Sequence, residues 1–198
     1  MDFDQYYIGK LPICRISFST PVPERKRLTD KLRSLAVSGR YNDVLAGVGE
    51  YLPTDKKGEL IKGKERSDAV HDLLSFLAEQ MTQMNKRKHE LTCEFLTWLE
   101  REITKKPIEN LKDKTKIKQF YENNLETLAG VLKQNGIFPQ MLELGNRRFA
   151  VLEKAYSNTM IELQPIKDQL TTIDNLIDKI IYRLYGFTAD EIELIETV

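Results

Sequence analysis

Hydrophobic residues recur every seven positions along the final stretch of the chain. Two such series run together, one through Phe149, Tyr156, Leu163, Leu170, Ile177 and Leu184, the other through Leu152, Thr159, Ile166, Ile173 and Ile180. They interleave at spacings of three and four residues, which is typical of the buried seam of a coiled-coil helix. Only Thr159 departs from the apolar pattern. The pattern therefore predicts one helix over residues 147–185, which at ~1.5 Å per residue would span roughly 60 Å.

A second, less regular heptad pattern covers residues 67–103. Its apolar positions are, in order, Val70, Leu74, Leu77, Met81, Met84, Leu91, Phe95 and Trp98. Lys88 and Glu102 occupy positions where the seam calls for an apolar residue. The two helices are nearly equal in length, and the connection between them is long enough to reverse direction, so an antiparallel hairpin would bury both stripes. We therefore predict a mainly α-helical fold built on a long, coiled-coil-like antiparallel hairpin.

The first twenty-three residues differ from the rest. Ile13–Phe18 alternates apolar and polar side chains between flanking prolines, which predicts a short extended segment or β-strand. A single strand is not stable in water on its own. The segment therefore either packs as an arm along the helices or pairs with strands from sequence that is absent here. We favour the second interpretation and expect this chain to be the carboxyl-terminal part of something longer.

Shorter elements are predicted around the hairpin. They are helices over 24–38 and 41–51, a polar loop over 53–66, one or two helices within 108–145, and a last short helix after Thr188. Gly39 supplies a helix stop, Thr188 opens a capping box, and Pro165 is expected to kink the final long helix without breaking it. The predicted organisation is an extended segment over 1–23, a small helical segment and loop over 24–66, and a hairpin domain over 67–198.

Charge and composition restrict the classes of function. The chain has 198 residues, with 30 basic and 30 acidic side chains that cancel at neutral pH. A DNA-binding protein that works through bulk charge would be clearly basic, so any DNA contact must come from local clusters.

Cys14 and Cys93 are far apart and lack metal-binding spacing, which favours reduced thiols. No run approaches ~18 apolar residues, so we expect a cytoplasmic protein that does not span a membrane.

Common catalytic motifs do not occur in the sequence. It contains no glycine-rich phosphate loop, no GxSxG and no HExxH. His71 and His89 would lie ~27 Å apart along one helix, too far to share a metal. Acid–lysine combinations such as Asp55 beside Lys56 fall in predicted helices and loops, whereas nuclease carboxylates must converge on one cation. We therefore predict no catalytic residue, no metal site and no cofactor.

Two local clusters of basic residues are candidates for contact with DNA phosphates. The first comprises Lys112, Lys114, Lys116 and Lys118, which follow Lys105 and Lys106 and precede Tyr121. The second comprises Arg15, Arg25, Lys26 and Arg27. The first cluster falls at the predicted turn of the hairpin, where its members would project together onto a phosphate backbone. The alternative is that these lysines and arginines form an ordinary solvated surface.

Four stretches, taken in order, resemble the carboxyl-terminal region of type IIG-like restriction–modification, adenine-specific DNA methyltransferases. They are residues 11–21 (LPICRISFSTP), 67–86 (SDAVHDLLSFLAEQMTQMNK), 111–121 (LKDKTKIKQFY) and 176–196 (LIDKIIYRLYGFTADEIELIE). In that family a methyltransferase domain precedes this region and carries the cofactor loop and the motif that grips the flipped adenine. Neither motif occurs here. The resemblance implies the end of a target-recognition region followed by a helical spacer, with Arg15 on a DNA-facing strand and Cys14 where a second arginine is expected.

The resemblance and the basic clusters together predict a non-catalytic specificity and spacer module that supports recognition of double-stranded DNA by a restriction–modification methyltransferase. The expected partners are DNA and either a protein partner or a missing amino-terminal domain, and the hairpin also offers a surface for a dimer. The alternative is a stand-alone helical hairpin that dimerises or docks onto a protein and has no DNA role. A divergent nuclease is the third interpretation, with the least support.

Overall fold

The computed structural model describes residues 16, 18–55, 60–61, 63–137 and 147–197. Within these ranges the chain is mainly α-helical, as predicted, and forms seven α-helices and no β-strand. We number them α1 (Val22–Val37), α2 (Tyr41–Tyr51), α3 (Ser67–Trp98), α4 (Lys114–Lys118), α5 (Leu125–Gln134), α6 (Arg147–Tyr185) and α7 (Ala189–Glu196). Short 3-10 turns, Ile108–Asn110 and Phe120–Glu122, lie on either side of α4. None of the helices in the described ranges is both long enough and apolar enough to cross a membrane.

The predicted amino-terminal strand lies largely outside the described residues. Of Ile13–Phe18, only Ile16 and Phe18 are described, and neither belongs to a strand. Cys14 and Arg15, which the resemblance associates with DNA, are not among the described residues. The role predicted for Arg15 therefore stays a prediction.

The two long helices begin and end close to the positions that the heptads predict. After Trp98, α3 continues as a π-helical stretch, Leu99–Thr104, and Lys105 ends it in the left-handed conformation at φ 52°. Helix α6 runs through Pro165 without a break, as predicted, while the kink expected there stays a prediction. Gly186, at φ 68°, terminates it, because a residue without a Cβ adopts this conformation at little cost.

The chain divides into two compact units, and the division falls within both long helices. The first unit comprises residues 1–80 and 173–198, and the second comprises residues 81–172. In the first unit, fully buried apolar side chains come from α1, α2 and the parts of α3 and α6 that it contains: Leu32, Val44, Val48, Val70, Leu73 and Ile180. This unit therefore has an apolar core of its own.

Close packing in the first unit depends on two glycines of α2. A Cβ atom at Gly47 would lie 2.6 Å from Leu32 Cδ2, and one at Gly49 would lie 2.9 Å from Arg183 Nη1. Glycine in a helix costs roughly 0.5–1 kcal/mol relative to alanine, so the sequence alone indicates a weak helix. The structure explains why glycine occupies both positions of α2: without a Cβ atom there, Leu32 and Arg183 can approach the helix backbone this closely.

A buried carboxylate links the segment before α1 to the start of α3. Asp68 is 1% exposed and accepts hydrogen bonds from the Thr20 backbone N–H at 2.9 Å and from the Thr20 hydroxyl at 2.8 Å. It also accepts one from the backbone N–H of Ala69 at 2.9 Å, so it satisfies a donor at the amino terminus of α3 as well. We call this contact the Thr20–Asp68 clasp.

In the second unit the two long helices pack antiparallel. Arg87 and Glu162 form an ion pair at 3.0 Å, and farther along α3 the ring of Phe95 lies 6.4 Å from that of Tyr156. Phe120, from the connecting segment, is fully buried, with ring centroids 4.1 Å from Phe95 and 6.1 Å from Tyr156. The antiparallel packing predicted from the heptads is therefore present in this unit.

The polar residues that interrupt the α3 seam have structural explanations. Lys88 Nζ lies 4.8 Å from the ring centre of Tyr121, which is a cation–π contact. At Glu102 the heptad prediction is wrong, because Glu102 is exposed while Leu99 and Ile103 are buried. The π-helical hydrogen bonds span five residues where α-helical ones span four. The wider turn brings residues spaced by four, such as Leu99 and Ile103, onto the core side.

Candidate nucleic-acid interface

The connection between the long helices is anchored by its own apolar residues. Ile108, Ile117 and Phe120 are buried in the core of the second unit, and Asp113, at a left-handed φ of 54°, turns the chain into α4. The polar side chains between these anchors lie on the surface. We call residues 105–118 the lysine segment. Its six lysines and two acids give it a net charge of +4. The lysines are Lys105, Lys106, Lys112, Lys114, Lys116 and Lys118, and the acids are Glu109 and Asp113.

Glu109 gathers two of the predicted lysines. Lys114 Nζ donates to Glu109 Oε2 at 2.8 Å, and Lys118 Nζ donates to Oε1. Lys114 and Lys118 are one turn apart on α4 and therefore share a face. The hydrogen bond from Lys114, followed by that from Lys118, lowers the pKa of the Glu109 carboxyl from 4.5 to about 2. Both lysine side chains remain nearly half exposed, at 49% and 46%, so a solvent anion can reach the two ammonium groups.

Lys112 and Lys116 flank this pair without joining it. Lys116, two residues after Lys114, lies on a different face of α4 and pairs with Asp113 at 3.8 Å. The Lys112 backbone is fixed by Asn135, whose Oδ1 accepts from its N–H at 2.7 Å and whose Nδ2 donates to its carbonyl at 3.1 Å. The structure thus brings Lys114 and Lys118 together and holds Lys112 and Lys116 on the same short segment but not on one common face.

The second predicted cluster is divided by packing. Arg25 Nε lies 3.1 Å from Asp72, and its guanidinium lies 5.1 Å from the ring centre of Phe18. The Arg25 charge is therefore largely occupied within the first unit. Lys26 and Arg27, in the same turn of α1, are exposed to solvent. These three residues belong to the first unit, whereas the lysine segment belongs to the second.

Sequence reasoning missed the two residues that organise the lysine segment. Glu109 reaches Lys114 across the turn at Asp113, and a separation of five residues is not one of the helical spacings that signal an ion pair. Asn135 reaches Lys112 from 23 residues away. The sequence does show one sign of the role of Glu109, because it is an acid within a lysine-rich segment. The contact of Asn135 with Lys112 follows only from the tertiary fold.

Side chains that could bind a metal do not cluster in the part of the chain that the structure describes. Among the residues that the structure describes, no three His, Cys, Asp or Glu side chains come together as a metal site would require. His89 and Cys93, one turn apart on α3, approach to 3.5 Å between Nε2 and Sγ on the surface.

The Glu109 ion pairs are expected to survive to strongly acidic pH. Because the folded protein lowers the Glu109 pKa from 4.5 to about 2, any stability from these pairs is present above pH 4.5 and is lost as the pH falls through about 2. A carboxyl ¹³C NMR titration should give a Glu109 midpoint near 2. Lys114→Gln should move the midpoint upward, and added salt should do so partially because exposed pairs are screened. A midpoint near the ordinary value in the unmodified protein would contradict the pairing.

Comparison with known proteins identifies a family. No curated protein and no solved structure matches the chain. One family model matches residues 67–181, more than half of the chain, including all of α3, the lysine segment and most of α6. Its description is a domain of unknown function, DUF8810. The chain therefore belongs to the DUF8810 family.

Proposed function

We propose that this protein is a non-catalytic helical module that supports recognition of double-stranded DNA in a restriction–modification methyltransferase of the type IIG-like kind. The lysine segment would contact DNA phosphates, and the helical units would position the recognition and catalytic modules of the system. No cofactor is required, and the expected location is the cytoplasm. The observation that carries the DNA contact is the net charge of +4 concentrated in residues 105–118 of a chain whose overall charge is zero. The assignment to a methyltransferase system rests on the resemblance of the four sequence stretches.

The local structure favours phosphate contact over a mobile charged loop. Ile108 and Ile117 anchor the segment in the core, and Glu109 holds Lys114 and Lys118 side by side. Lysine contacts to phosphate are independent of base sequence, and their strength comes mainly from release of counterions. Such contacts would fix the position of the module on the duplex, while base recognition would come from other parts of the system.

A second candidate is protein docking without a DNA role. It is favoured by the ion pairs themselves, since Lys114, Lys116 and Lys118 each already have a carboxylate within 4.0 Å. Under this alternative the lysine segment is a solvated surface, and the partner contacts the helices. The two candidates differ in the effect of the lysines on DNA affinity.

Removing the four predicted lysine charges should weaken DNA binding at every sequence. We expect the variant Lys112→Gln, Lys114→Gln, Lys116→Gln and Lys118→Gln to bind random duplexes more weakly than the unmodified chain. Its salt dependence should be shallower by ~0.9 in slope for each phosphate that the variant no longer neutralises. Fluorescence anisotropy with a labelled duplex at several salt concentrations measures both quantities.

A matched control distinguishes the effect of where the lysines lie from the effect of the net charge of the chain. Replacing four exposed lysines outside the segment, Lys31, Lys64, Lys86 and Lys154, by glutamine changes the net charge equally. This control should retain the salt slope of the unmodified chain. Glu109→Gln should raise DNA affinity, because it removes the carboxylate that competes with phosphate for Lys114 and Lys118. Equal decreases in affinity for the two lysine variants, together with no gain from Glu109→Gln, would favour the docking alternative.

A further inference from the structure

Helix α7 is well formed at its start, but none of its side chains is fully buried and only Ile192 among its large apolar residues is half-buried. Thr188 and Glu191 make a complete capping box: the Thr188 N–H donates to Glu191 Oε2 at 2.8 Å, and the Glu191 N–H donates to Thr188 Oγ1 at 3.3 Å. The helix has 8 residues, and helices this short are marginal in water unless an apolar side is covered. Leu194 and Ile195 are nevertheless 67% and 47% exposed.

An apolar groove with a cationic border lies beside α7 in the first unit. Its volume is about 420 Å³, and its apolar lining consists of Leu45 of α2, Tyr182 of α6, Phe187, and Ile192 of α7 itself. Its charged lining consists of Lys179, Arg183 and one carboxylate, that of Glu196 in α7. Arg183 is held in place by a hydrogen bond from Nη1 to the Leu45 carbonyl at 3.2 Å. The groove therefore combines an apolar floor with two cations and one carboxylate, a net charge of +1.

The exposed face of α7 carries acidic and apolar residues, which complement the cations and the apolar floor of the groove. Asp190, Glu193 and Leu194 stand at i, i+3 and i+4, so they share one face of the helix. This face combines an exposed leucine with two carboxylates, and no lysine or arginine follows Arg183 in the sequence. This acidic face with one leucine thus complements a groove in which apolar surface lies beside Lys179 and Arg183.

We infer that this groove binds the α7 helix of a second copy of the chain. Leu194 of each copy would enter the groove of the other, and Asp190 and Glu193 would face Lys179 and Arg183. Because the helix and the groove are adjacent on each copy, a two-fold arrangement makes both contacts at once and closes as a symmetric dimer. This surface is separate from the heptad seam, through which a hairpin dimer would form. The inference does not depend on the proposed DNA role.

The test is self-association of the full chain, measured by sedimentation velocity without DNA from micromolar to several hundred micromolar. We expect a monomer–dimer equilibrium that weakens as salt is raised, because the charged pairs are screened. Leu194→Ser should weaken dimerisation by about tenfold or more through loss of apolar burial. Ile161→Ser is the matched control, since Ile161 is 71% exposed and lies in the second unit; it should leave dimerisation unchanged.

Charge exchange tests the orientation of the contact. Glu193→Lys and Lys179→Glu should each weaken self-association when tested alone. An equimolar mixture of the two variants should restore dimerisation, because every facing pair is then opposite in sign. A monomer at all concentrations in low salt, a dimer unaffected by Leu194→Ser, or a mixture that fails to recover would each overturn the inference. If the chain stays monomeric at all concentrations, α7 would instead be covered by a different protein.

Discussion

Phe120→Ala should destabilise the second unit by about 3–5 kcal/mol, the range measured when a buried phenylalanine is truncated. The side chain is 0% exposed, and its ring lies against Phe95 at 4.1 Å and Tyr156 at 6.1 Å. Its removal would leave a cavity where the connecting segment meets both long helices. A domain is stable by only about 5–15 kcal/mol in total, so the variant should unfold at much lower urea concentration.

The single tryptophan of the chain provides the probe for this experiment. Trp98 packs against the same core, with its ring 5.7 Å from that of Phe95, so its fluorescence reports on the second unit. Ile161→Ala is the control, because Ile161 is 71% exposed and its truncation should change the free energy of unfolding by less than about 0.5 kcal/mol. Equal effects of the two substitutions would show that Phe120 does not hold this core together.

Asp68→Ala should lower the stability of the first unit by about 3 kcal/mol. The substitution removes the acceptor for the Thr20 N–H and hydroxyl, and each buried donor left without a partner costs about 1–3 kcal/mol. It also removes a negative charge from the amino terminus of α3. Asp68→Asn should be milder, since its side chain keeps one acceptor oxygen. Thermal unfolding followed by far-UV circular dichroism measures the difference.

A double-mutant cycle isolates the clasp from other effects of the substitution. Thr20→Val removes the hydroxyl donor but keeps the backbone N–H and nearly the same shape. If the clasp exists, Asp68→Ala combined with Thr20→Val should cost less than the two single substitutions added together. Strict additivity would mean that Asp68 stabilises the protein without Thr20.

The helices were predictable because their signals are local or periodic. Apolar residues spaced by three and four define a helix stripe whatever the tertiary fold, and Gly39 and Thr188 mark helix ends through their own backbone chemistry. The prediction fails at Glu102, where a π-helical turn shifts the buried positions by one residue. A fixed heptad count has no means of anticipating a change in the number of residues per turn.

The organisation of the candidate site was only partly predictable. The concentration of lysines over 112–118 is visible in the sequence, but the pairing of Lys114 and Lys118 on Glu109 depends on the left-handed turn at Asp113. Arg25 looks like Lys26 and Arg27 in sequence, yet it alone meets Asp72, a residue of α3. Charge patterns identify candidate contacts, whereas the fold decides which charges are already paired.

The most direct test of the DNA role is the salt dependence of duplex binding by the unmodified chain. We expect weak binding at low salt. The logarithm of the association constant should fall linearly as the logarithm of the salt concentration rises, with a slope of ~0.9 per phosphate contacted. Duplexes of unrelated sequence should give the same slope, because the lysine segment contacts phosphates and not bases. Absence of binding at low salt, or an affinity that salt does not change, would contradict the proposed role.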